Sequence, residues 1–152
     1  MEIKTFGDLI DWTRQLHEHL ARCLHESANK AHDDRAEALL DYLSTHEALL
    51  GEAIAEFQRQ ANPDILQTRL YDYGNHKPIE SHRTCDTHYA ELDFEGIERE
   101  VFDFHQQVME LYDTLIGKAA IPEVVALMQE LKALEQHEAM RLARQIGRME
   151  DV

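Results

Sequence analysis

Two His-Glu pairs interrupt long apolar stripes in this chain of 152 residues. The first is His46-Glu47, within Leu43-Ser44-Thr45-His46-Glu47-Ala48-Leu49-Leu50. The second is His137-Glu138, within Leu134-Glu135-Gln136-His137-Glu138-Ala139-Met140-Arg141. Two more histidines, His17 and His105, stand at the same mid-segment level of two further amphipathic stretches. Imidazoles and carboxylates projected inward from facing helices are donors that hold iron, manganese or zinc in a bundle core. Buried without an ion, the same groups cost free energy unless they pair with one another.

Three arrangements follow from those residue types. One is a metal site drawn from His17, His46, Glu47, His105, His137 and Glu138. A second is a hydrogen-bonded polar layer, closed by Arg141, that sets helix register and supports a homodimer. The third places some of these groups on an exposed association surface. Ten histidines are more than a chain of this size ordinarily carries, and they are not gathered into one tract. A separate spacing, His82-x-x-Cys85-x-x-His88 with His76 nearby, is a weaker zinc candidate, because structural zinc normally takes four closed ligands.

The elements that must position these groups are helices. The first is expected over residues 5–31, with Thr5 as N-cap and Asp8 in the first turn. Its stripe is Phe6, Leu9, Thr13, Leu16, Leu20, Cys23 and Ser27, with Ile10, His17 and Leu24 as a flanking row. The second, over 34–61, follows the Asp33-Asp34 cap and carries Ala36, Leu40, Leu43, Glu47, Leu50, Ile54 and Phe57. The third, over 90–117, carries Phe94, Ile97, Val101, Phe104, Val108, Leu111 and Leu115, with Glu98, His105 and Tyr112 beside them. The fourth, over 122–149, carries Val124, Leu127, Leu131, Leu134, Glu138, Leu142, Gln145 and Met149. A crossover over 62–89 contains a short helix opened by Asn62-Pro63-Asp64, with Leu66, Leu70 and Tyr73 as its buried face and Gly74 as its end. The expected fold is an all-α antiparallel four-helix bundle, one domain of two hairpins. The crossover sets the third long helix parallel to the second.

This pattern resembles the ferritin-like superfamily of helical bundles, and through its histidines it is more distantly similar to hemerythrin-type bundles. The resemblance covers most of the chain. It implies a metal-binding role, with iron as the first candidate and oxidation chemistry, metal handling or sensing of oxygen species as the activities. A non-haem iron oxidoreductase is among them. By position, His46, Glu47, His137 and Glu138 correspond to the family's ligands on its second and fourth helices, and His17 and His105 correspond by level. The sequence departs from the family at the Glu-x-x-His motif. Leu43 and Leu134 stand three residues before His46 and His137, where the family has glutamate. Tyr42 and Tyr112 flank the layer and are expected to pack with their hydroxyls satisfied.

Composition narrows the alternatives. Thirty acidic residues against fifteen basic give a formal charge of −15, which repels a phosphate backbone and disfavours a nucleic-acid partner. No apolar run reaches membrane-spanning length. The first residues lack a signal-peptide pattern, and Cys23 and Cys85 form no disulfide framework, so a reducing cytoplasm is expected. Glycine-rich phosphate loops, nucleophile elbows and dinucleotide fingerprints are missing from the sequence, which removes support for hydrolase, kinase and dehydrogenase readings.

Overall fold

The Thr5 hydroxyl accepts from the Asp8 amide at 3.1 Å, and the Asp8 carboxylate accepts from the Thr5 amide at 3.1 Å. This reciprocal cap satisfies backbone donors that a helix start leaves unpaired, and it opens α1, Phe6–Ala28. Asp33 caps α2, Asp34–Gln60, by accepting from the Ala36 amide at 2.8 Å. Asn62 caps the one-turn α3, Pro63–Leu66. A 3₁₀ turn, His88–Glu91, leads to α4, Phe94–Lys118, and α5 runs Pro122–Glu150. Asp93 caps α4 through the Gly96 amide at 2.8 Å. A Cβ on Gly96 would lie 2.9 Å from the Asp93 Oδ1, so the cap itself selects glycine there. The computed structural model describes residues 3–70 and 88–150.

The fold is an all-α four-helix bundle, and no strand occurs among the described residues. α1 packs on α2 and α4 on α5, while α2 also touches both α4 and α5. The Arg35 guanidinium lies 4.4 Å above the Phe94 ring, joining the N-terminal ends of α2 and α4. Twelve residues on, Glu47 meets His105, eleven residues past Phe94. Equal progress along both helices means that α2 and α4 run parallel, as expected of the crossover.

Burial follows the predicted stripes closely on three helices. Every stripe residue of α1 and α4 is buried, and on α2 only Phe57 is partly open. On α5 the buried face is Val124, Leu127, Met128, Leu131, Glu135, Leu142 and Ile146. Leu134 and Met149 are only partly covered, and Gln145 is not in the core. The stripe steps by four from Leu131 to Glu135, where a step of three to Leu134 was expected, and this turns the inner face away from Glu138.

The short crossover helix ends at Leu66, before the expected Gly74. Backbone pairing takes over beyond it: the Phe6 amide donates to the Thr68 carbonyl at 3.1 Å and the Leu70 amide to the Lys4 carbonyl at 2.8 Å. These bonds hold the start of the crossover against the chain's N-terminal segment. Tyr73, Gly74 and the candidate ligands His76, His82 and Cys85, with the His88 side chain, lie outside the described residues. Cys23 is fully buried in the core face of α1, as its place in the stripe predicts. Among the described residues, no helix is long and apolar enough to cross a membrane.

Candidate metal centre

Four polar side chains, one from each long helix, meet at mid-height. His17 on α1 and Glu47 on α2 are fully buried, and His105 on α4 and Glu135 on α5 are each 2% exposed. Each stands seven residues from apolar or aromatic core neighbours: Ile10 and Leu24, Leu40 and Ile54, Tyr112, and Met128 and Leu142. A spacing of seven returns to nearly the same helix face, so packing on both sides of His17, Glu47 and Glu135, and on the Tyr112 side of His105, fixes the polar groups at the bundle axis.

Glu47 is the hub. Its Oε2 lies 2.6 Å from His17 Nδ1, and its Oε1 is hydrogen-bonded to His105 Nε2. The other nitrogen of His17, Nε2, lies 2.7 Å from Glu135 Oε1, which also accepts from the Tyr112 hydroxyl at 3.3 Å. The ring of His17 stands edge-on to Phe104, with centroids 5.5 Å apart, and to His105 at 5.9 Å. His105 Nδ1 is buried with no hydrogen-bond partner.

Charge is concentrated here. Burial opposes a cation at His17, but the carboxylates of Glu135 and Glu47 outweigh it and raise the imidazole to about 10. Burial likewise opposes the Glu47 anion, and the imidazoles of His105 and His17 reverse that, holding the carboxyl well below its usual range. Tyr112 is pushed well above its ordinary value by burial and by the Glu135 charge.

These shifts set the pH dependence of the metal-free fold. The His17 value is raised, so its contribution is complete below the unfolded value of 6.5 and is lost as pH rises toward about 10. The Glu47 value is depressed, so its contribution is complete above 4.5 and is lost as pH falls. Denaturant unfolding of metal-free protein is expected to show greatest stability near pH 5–6.5. On the alkaline side the loss should approach about 1.4 kcal/mol per pH unit. A profile flat from pH 6 to 9 would contradict a charged His17.

The residues singled out in the sequence separate into two groups. His17, Glu47 and His105 converge, and their ligand atoms all lie within 4.8 Å of one another. His46 is 9% exposed and stands beside them, its ring centroid 6.2 Å from that of His105, but it lies outside the three-residue group. Burial lowers its imidazole despite the neighbouring Glu47. Its ring stacks on Tyr42 at 6.5 Å.

His137 is exposed, and the half-buried Glu138 pairs with Arg141 at 3.2 Å; His137 and Arg141 line a cleft beside His46. Neither His137 nor Glu138 reaches the cluster, because the α5 stripe turns at Leu131–Glu135. Arg141 consequently does not close the core layer. Glu98 is partly exposed, and burial with the nearby Glu150 carboxylate raises its value. Glu135 is the member that sequence reasoning missed. Its signal was the heptad row Met128, Glu135 and Leu142, which parallels Ile10, His17 and Leu24.

The donor set suits a divalent cation. Two imidazoles and one carboxylate converge, and a second carboxylate stands behind one imidazole, as it does where an outer-shell carboxylate orients a metal-bound histidine. When the His17 Nδ1 proton leaves, the two carboxylates carry two negative charges, which balance a divalent ion in a medium that penalises unbalanced charge. The buried cluster of His17, Glu47 and His105 can therefore hold a metal ion. Comparison with protein-family models, with curated proteins and with solved structures found no match to this chain.

Proposed function

We propose, from the donor set alone, that this bundle binds one divalent metal ion through His17, Glu47 and His105, with iron favoured over manganese and zinc. The observation that carries the reading is the convergence of two imidazoles and a carboxylate, buried and within 4.8 Å of one another. A donor set of two histidines and one carboxylate that leaves other positions open is the arrangement associated with non-haem ferrous iron. Such an ion supplies redox chemistry with dioxygen or peroxide, which accords with the ferritin-like resemblance and with an oxidation or sensing role.

The chain's own residues do the rest. Glu47 would supply charge at the ion's position, and His17 would serve as a ligand once its Nδ1 proton is released to solvent on binding. Glu135 holds the opposite edge of that ring by accepting from Nε2–H, and Tyr112 in turn fixes Glu135 by donating to it. Phe104 and the leucines above and below exclude bulk water. Glu135→Gln is expected to keep the ligands but weaken metal affinity about 10–100-fold, as loss of an orienting carboxylate does. Competition against a chromophoric chelator measures that change, and an unaltered affinity would remove Glu135 from the role.

Thermal unfolding tests the proposal as a whole. A ligand at 1,000 times its dissociation constant stabilises by about 4 kcal/mol. In a domain of this size that raises the midpoint by about 10 °C. Ferrous ion added anaerobically to chelator-treated protein is expected to produce such a rise. No rise with ferrous, manganous or zinc ion would contradict the proposal. A second reading has one observation behind it: the cluster closes on itself through direct His–Glu hydrogen bonds. In that reading it is a polar layer that fixes helix register, with no metal.

A further inference from the structure

A cleft of about 370 Å³ opens between α2 and α5, lined by Tyr42, His46, His137, Arg141, Arg144 and Arg148, with Gln145. His137, Arg141, Arg144 and Arg148 follow one another on α5 at steps of four, three and four, so they share one helix face. In a chain with a formal charge of −15, three arginines on one wall are a local reversal of sign. Among the described residues the carboxylate bonded to them is Glu138, which engages Arg141 at 3.2 Å and whose charge also acts on His46. Arg148 donates to the neutral Gln145 side chain at 3.3 Å. Arg144 has no ion pair among the described residues. At the inner wall His46 is 9% exposed, and its Nε2 is buried with no hydrogen-bond partner.

We propose that this cleft binds a small oxyanion, a phosphate or carboxylate group, held by Arg144 and Arg148 with His46 at its inner wall. Guanidinium groups are well matched to such groups because their planar forks donate in pairs. The volume is that of a small-molecule site, so the ligand is a free anion or a small molecule bearing one. The inference does not depend on a metal, since every residue in it lies outside the His17, Glu47 and His105 group.

The test uses chelator-treated full-length protein, with histidine ring signals followed by NMR at constant ionic strength. Inorganic phosphate and acetate are titrated separately. At least one is expected to move the His46 and His137 signals saturably while His17 stays fixed, and which one does so identifies the chemistry. Arg144→Gln combined with Arg148→Gln is expected to weaken that binding at least tenfold. Both positions are exposed, and unchanged far-UV circular dichroism would verify that the variant folds. The proposal is overturned if neither anion gives a saturable shift, or if the double variant binds as tightly as the wild type.

Discussion

Glu47→Gln is expected to abolish stoichiometric metal binding and to destabilise the metal-free bundle by about 3–5 kcal/mol, the cost of breaking a buried ion pair from one side. Glu47 is fully buried and is the partner of both His17 and His105. The amide keeps the volume, so the loss reports chemistry and not a cavity. His17 would keep only Glu135, and the amide NH₂ would face a ring nitrogen it cannot satisfy in both tautomers. Urea unfolding of chelator-treated wild type and variant measures the stability change, and equilibrium dialysis measures the metal. A variant that still binds one ion per chain would show that the carboxylate is not a ligand.

The opposite change is expected from replacing the whole polar set. His17→Leu, Glu47→Met, His105→Leu and Glu135→Met, with Tyr112→Phe to remove the stranded hydroxyl, should bind no metal at all. Without metal the variant should nevertheless match the wild type or exceed it by about 1–4 kcal/mol, because a dry, well-packed core avoids the desolvation of buried charges. The two experiments separate the readings. A cluster kept for metal loses function and gains stability when made apolar. A layer kept for register gives a bundle that still melts but loses its single packing, visible as lost near-ultraviolet dichroism or altered association. A large loss of cooperative unfolding in the apolar variant would favour the register role.

Much of this was legible in the chain because helical periodicity and capping agree. Thr5, Asp33 and Pro122 marked helix starts that the structure shows within a residue or two. The steps of three and four on α1 and α4 named the buried faces. His17, Glu47 and His105 could be placed at one level because mid-helix residues share a height whatever the helix direction. What misled was the repeated His-Glu pair. It invited a match of His137-Glu138 with His46-Glu47, yet α5 is turned so that Glu135 faces inward and His137 faces out. A rotation of that size depends on how α5 packs against its neighbours, and a local stripe that reads equally as Leu131, Leu134, Glu138 and Leu142 or as Leu131, Glu135 and Leu142 does not fix it. The early end of α3 had a similar cause. Its continuation was decided by backbone bonds to Lys4 and Phe6, about 60 residues away in sequence.

Elemental analysis is the most direct test of the central claim. Untagged protein would be reconstituted anaerobically with ferrous ion, desalted and compared with Glu47→Gln treated in the same way. One iron per wild-type chain and none in the variant is the predicted result. No retained iron in the wild type, with manganese and zinc equally absent after the same treatment, would contradict a metal centre at His17, Glu47 and His105.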